Sequence, residues 1–201
     1  MIIIYILVIL VILYFIWKFY FNNEIVSIKS KVDNNKYIIR NGNKSHIYLE
    51  ESADTLAVIN MRIEKLLNHL KQKYNIHDEK NLFLLKLIEN YSPKLLSEAA
   101  NDNRFTTFTI DKKDMHICLR TRDGNDKMYD INILMYVILH ELAHFCNYDK
   151  NGNAIIGHGK EFKSIFRLLV TESINIGVYE YINFVKNPSE YCGIIINTTI
   201  I

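Results

Sequence analysis

The chain has 201 residues, room for one domain of ordinary size, and its 49% apolar and 23% charged content with only two prolines and seven glycines excludes disordered and collagen-like architectures. A formal net charge of +2 is too small to mark binding by counterion release, so nucleic acid is not an expected partner. The three cysteines, Cys118, Cys146 and Cys192, are odd in number and far apart; they spell neither a disulfide framework nor a paired-cysteine zinc ribbon, and fit a reducing compartment.

After Met1 the chain runs to Trp17 through Ile, Leu, Val, Tyr, Phe and Trp without interruption, and the first charge is Lys18. A helix over residues 1–21 would be about 31 Å long, enough for the roughly 30 Å hydrocarbon core of a bilayer. Tyr14, Trp17, Lys18 and Tyr20 then fall at one interface, where aromatic rings and snorkelling lysines are favoured. No small-residue cleavage pattern follows, as a secretory signal would require. Residues 1–21 are therefore predicted to be a membrane anchor, and Lys18, Lys29, Lys31 and Lys36 place the body on the cytoplasmic side. Polar residues 22–36 read as a linker, and 37–201 as the folded domain.

Tyr37–Arg40 and His46–Leu49 flank Asn41-Gly42-Asn43, which predicts a β-hairpin. Leu56, Ile59, Ile63, Leu66, Leu67 and Leu70 recur at helical spacing, predicting an amphipathic helix over about 52–74. A second helix is expected over 79–90, and Pro93 suits the first turn of a short third one reaching Ala100. Phe105–Ile110 and Met115–Arg120 read as a second hairpin. In the latter run Met115, Ile117 and Leu119 alternate with His116, Cys118 and Arg120, as in a half-buried strand; Arg120 and Arg122 read as solvated charges. Asp130 is a good N-cap for a helix to about Cys146, a Gly/Asn-rich loop spans 147–157, and a further helix covers about 160–174. Residues 175–201 carry no clear pattern.

The chemistry concentrates in His140-Glu141-Leu142-Ala143-His144. On a helix, residues four apart project from one face, so the two imidazoles can share one ion. Zinc takes neutral imidazole nitrogen, and a catalytic site holds three protein ligands with a fourth position for water. Glu141, about 100° around the helix from His140, can reach that water without ligating the metal and is the candidate general base. Gly157-His158-Gly159 supplies the best third ligand, with Glu161, Asp149 and His116 as alternatives. The structural alternative, two histidines merely packed, would leave imidazoles beside a carboxylate to be satisfied by hydrogen bonds alone. Cys146 lies about 200° around the helix from His144 and reads as a small core residue. A hydroxyl of Tyr179, Tyr181 or Tyr191 could stabilise an oxyanion.

His140-Glu-Leu-Ala-His144 followed after 13 residues by Gly157-His158-Gly159-Lys-Glu-Phe162 resembles the SprT-like zinc metallopeptidases and the related WLM group. The resemblance covers about 104–175, and similar compact proteins with an apolar N-terminus occur in large DNA viruses. It implies an α+β, zincin-like metallopeptidase domain: a small antiparallel sheet packed on the active-site helix, with Met115–Thr121 as the edge strand along which an extended peptide lies. It also implies Zn2+ held by His140, His144 and His158, with Glu141 assisting attack of zinc-bound water on a peptide bond of a protein or peptide substrate. The chain departs from the family's nuclear DNA-repair members: it has no C-terminal cysteine module, and it carries an apolar N-terminus. Two other functions compete, a membrane-tethered zinc-containing adaptor without turnover and a DNA–protein crosslink protease. Glu141→Gln separates the adaptor from either peptidase, because the adaptor has no hydrolysis to lose.

Overall fold

The computed structural model describes residues 5, 9–13, 25–41, 46–100, 107–110 and 114–201. Of the membrane anchor expected over 1–21, only residues 5 and 9–13 are among them; among the described residues no helix is long and apolar enough to cross a membrane.

The first strand, β1 (Ile25–Lys29), pairs antiparallel with β2 (Lys36–Arg40). Residues read as a linker thus supply a strand and a turn. The signal was weak because only Val26 and Ile28 of β1 face the core, while Ile25, Ser27 and Lys29 face out. Nor does β2 pair with His46–Leu49. Those residues begin helix α1 (His46–Lys73), because Leu49 falls on the same buried stripe as Ala53, Leu56, Ile63, Leu66 and Leu70. Spacing of four and seven residues puts Leu49 over Ala53 and Leu56, and burying such a side chain contributes roughly 1.5–3 kcal/mol, which outweighs local β-propensity.

A 3-10 turn, Glu79–Asn81, leads into α2 (Leu82–Asn90), as expected. The helix expected to follow Pro93 is only a 3-10 turn, Pro93–Leu95, after which the chain straightens into β3 (Leu96–Glu98). All three β3 residues are buried, in the middle of a sheet, so tertiary placement overrides the local preference. Then come β4 (Phe108–Ile110) and β5 (Asp114–Ile117), the antiparallel pair expected from the sequence.

The sheet has the order β1-β2-β3-β5-β4. It is mixed rather than antiparallel, since β3 runs parallel to both β2, with Ser97 opposite Ile38, and β5, with Ser97 opposite His116. Parallel neighbours require crossover connections, and α1 with α2 supplies the one between β2 and β3. The order also moves the edge. β5, expected as the edge strand, is interior, and β4 takes the outer position.

Arg120 is likewise not a solvated charge. It is 1% exposed, and its Nε and Nη2 donate to the two carboxylate oxygens of Glu98 at 2.8 and 2.9 Å. Glu98 also accepts from the Arg40 backbone N–H, and Arg40 Nη2 donates to Asp126. A buried bidentate pair of this kind ties β2, β3 and the segment after β5 together and would be costly to break from one side. Arg122 is half-buried and donates to the Ala100 carbonyl.

Behind the sheet lie α3 (Ile131–Phe145) and α4 (Lys160–Asn175). Asp130 caps α3 by accepting from the Asn132 N–H. Leu134, Met135, Ile138, Leu139, Leu142 and Ala143 bury α3 on most of its circumference, which makes it the central rod of the core. Phe162, Phe166, Leu169 and Val170 face it from α4. The unassigned C-terminal stretch forms a short hairpin, β6 (Ser189–Tyr191) with β7 (Ile194–Ile196). Against the expectation of unpaired cysteines, Cys118 and Cys192 are joined as a disulfide that fastens this hairpin to the end of β5. Sequence spacing concealed it, because 74 residues separate two positions whose Cα atoms lie 6.4 Å apart. Cys146 remains a buried thiol whose Sγ donates to the Leu142 carbonyl.

Candidate metal centre

His140 and His144 stand one turn apart on α3, half-buried at its cleft-facing side. The loop after α3 returns the chain to them. Asp149 organises it, its carboxylate accepting from the Asn151 and Asn153 N–H groups, and Tyr148 bridges to Ala154. At Gly157 the backbone turns with φ of +85°, a left-handed conformation that side chains disfavour, and the next residue is His158. Gly159 has an ordinary negative φ and serves as the N-cap of α4. Only the first of the two flanking glycines is therefore demanded by backbone conformation.

The three imidazoles converge. His158 Nε2 lies 3.0 Å from His140 Nε2 and 3.1 Å from His144 Nε2, and the ligand atoms of all three residues fall within 4.8 Å of one another. Nitrogens held tetrahedrally about 2.0–2.1 Å from a zinc ion stand about 3.3–3.4 Å apart, so the triad fits such an ion with small adjustment. Three nitrogens that point at one another cannot all be satisfied by mutual hydrogen bonds, because each contact needs one donor and one acceptor. Burial, and then the neighbouring His144 and His158, push His140 down to about 3, which keeps it neutral, the form that ligates metal.

Phe162 holds the triad from below. Its ring centroid is 4.9 Å from that of His140, 4.3 Å from His144 and 4.7 Å from His158. Phe166 adds an edge contact to His140 at 5.2 Å. One buried ring thus contacts all three imidazoles, and its position in the first turn of α4 couples that helix to the centre.

Glu141 lies on the cleft wall and is almost fully buried. Burial pushes its carboxyl up to about 7, against the lowering effect of a 2.7 Å hydrogen bond donated by Thr109 Oγ1 to Oε2. Nothing in the sequence marks Thr109, a threonine in a short β-run 32 residues upstream. It is β4's place at the edge of the sheet that sets it beside α3.

The other sequence candidates are engaged elsewhere. His116 Nδ1 lies 2.9 Å from Ser97 Oγ and its ring stacks on Phe108, Asp149 serves its own loop, and Glu161 is exposed on α4. Of the three tyrosines, Tyr191 lines the cleft, with its hydroxyl bonded to Thr107 Oγ1. Tyr179 Oη accepts from the Ile182 N–H, and Tyr181 is exposed.

Comparison with known proteins gives relatives in large DNA viruses. The chain is 34% identical over 177 residues to the uncharacterized protein R325 of Acanthamoeba polyphaga mimivirus, which covers 87% of this chain and 84% of the relative. It is 28% identical over 167 residues to the uncharacterized protein 136R of Invertebrate iridescent virus 6, covering 82% and 85%. A third relative, the uncharacterized protein 042R of Invertebrate iridescent virus 3, is 41% identical over 90 residues, covering 44% and 50%. No protein-family model and no solved structure matches the chain.

Proposed function

Because the chain belongs to the family of large-DNA-virus proteins that includes mimivirus R325, we propose for it a function read from its own site, that of a zinc-dependent peptidase of SprT-like or WLM-like type. The observation that carries the reading is the convergence of His140, His144 and His158 beside the buried Glu141. The three imidazoles would hold zinc, which when bound supplies a Lewis acid that polarises a carbonyl and makes water acidic near neutral pH.

The remaining steps belong to protein groups. Glu141, on the cleft wall beside the triad, accepts the proton of the attacking water and delivers it to the departing amine nitrogen. Thr109 fixes Oε2, which leaves the other carboxylate oxygen to carry the proton. An extended peptide lies along β4, the strand that contributes Thr109, rather than along β5. Residues 1–21 tether the domain to a membrane, a part of the reading supported by the apolar run.

Incubation of the zinc-loaded full-length chain with a proteome-derived peptide mixture tests the reading. Wild type should generate new peptide termini detectable by mass spectrometry, and Glu141→Gln should generate none while retaining zinc. Equal inactivity of both proteins at full zinc occupancy would favour a zinc-containing binding domain instead.

A further inference from the structure

We infer that the centre selects its substrates through a bulky apolar side chain next to the bond that is cut, and that the C-terminal segment Ile194–Ile200 is the selecting wall. The inference rests on the peptidase reading and adds a substrate class to it.

A cavity of about 360 Å3 opens from His140, Glu141 and His158. That is the scale of small-molecule and side-chain pockets. Its helical side is Val137 on α3 and Phe166 on α4, and its opposite side is Ile194, Ile196 and Ile200. An apolar side chain entering it exchanges water for hydrocarbon, whereas a cationic one would lose hydration against a largely apolar lining and meet Lys163 at the cavity wall.

The wall is fastened rather than draped. Tyr136 Oη donates to the Thr198 carbonyl at 3.3 Å, and Arg167 Nε donates to the Ile200 carbonyl at 3.0 Å. At the other end Cys192 is bridged to Cys118, and Tyr191 is bonded to Thr107. Anchors on α3, α4 and the end of β5 thus hold one short segment against the cleft, so the pocket exists before substrate arrives and little ordering is left to occur on binding. Ile195, also lining the cleft, is 59% exposed, an apolar surface at the mouth that a bound peptide would cover.

Two measurements on the zinc-loaded full-length chain test this. The first maps cleavage sites in a proteome-derived peptide mixture. The second titrates, by calorimetry, two dipeptide hydroxamates that differ only in an isobutyl side chain or a hydrogen beside the zinc-binding group. Leu, Ile, Met and Phe should be enriched at one position flanking the cut, and the isobutyl compound should bind about tenfold tighter or more. Ile196→Asp should erase the difference between the two hydroxamates while zinc content stays the same. Val137→Phe, which fills the cavity from the other side, should shift the preference towards smaller side chains and serves if the aspartate variant does not fold. Cleavage without apolar enrichment, or equal binding of the two hydroxamates, overturns the subsite and leaves the peptidase reading standing. Absence of both cleavage and hydroxamate binding at full zinc occupancy overturns the peptidase reading, and the subsite with it.

Discussion

Thr109 Oγ1 donates a 2.7 Å hydrogen bond to Glu141 Oε2, joining the outermost strand of the sheet to the carboxylate beside the three histidines. In the proposed mechanism this carboxylate takes up and releases a proton, which needs a fixed direction, and the bond supplies one. Thr109→Val keeps the shape of the side chain and removes the donor. Hydrogen bonds to charged groups contribute about 1.5–3 kcal/mol, so kcat should fall roughly tenfold to a hundredfold with zinc content unchanged. Thr109→Ser should recover most of the loss, which a purely steric role for the threonine would not allow.

Ligand identity gives a sharper contrast. His158 converges with His140 and His144, whereas Glu161, three residues on, is exposed on α4. His158→Ala should lower zinc affinity by orders of magnitude, and Glu161→Ala should leave it within a factor of two or so. Competition with a zinc-binding dye, on samples matched for helicity, measures both.

Phe162 touches all three imidazole rings without offering a ligand atom. Phe162→Ala should cost about 3–5 kcal/mol of stability through the cavity it leaves, and should weaken zinc binding as the imidazoles lose their support. Phe162→Leu should restore much of the stability but less of the affinity, because a branched aliphatic chain does not fill the space beneath three rings. Denaturant unfolding and dye competition on the same samples separate the two effects.

The Cys118–Cys192 bridge closes a loop of 74 residues in sequence separation. A loop of that size corresponds to about 4 kcal/mol of constraint on the unfolded chain. Cys118→Ser with Cys192→Ser should lower the unfolding free energy by about that amount. A strong dithiol reductant should do the same to the wild type and nothing further to the double variant.

Glu172 is one of the carboxylates that tie stability to pH in the acid range. Burial raises its carboxyl, but hydrogen bonds from Lys73, His69 and Tyr74 outweigh this and hold it down to about 2. A carboxylate depressed in the folded state stabilises above its unfolded pKa of about 4.5 and loses that contribution as pH falls towards 2. The unfolding free energy should therefore drop through this window. In Glu172→Gln the drop should be shallower, with lower stability at neutral pH.

What could be read beforehand, and what could not, follows the range of the forces involved. Asp130 as a cap and the helix carrying His140 and His144 are local matters, and the structure places them where the spacing does. The convergence of His158 was legible because Gly157 announces a backbone reversal next to it. β1 leaves little trace because two inward residues in five make a weak pattern, and the start of α1 is masked because Ile47-Tyr48-Leu49 suits a strand until Leu49 finds the helix stripe. The mixed sheet, the interior position of β5 and the burial of Arg120 against Glu98 depend on which strands become neighbours, and local pattern does not encode that. Thr109 and the disulfide belong to the same class, since each joins residues far apart in sequence.

His140, His144 and His158 are positioned to hold one metal ion. Zinc content of the purified 201-residue chain, measured beside a His140→Ala/His144→Ala variant of equal fold, tells whether they do. About one zinc per chain is expected in the wild type and almost none in the variant. A well-folded wild type that takes up no zinc even after reconstitution would contradict it.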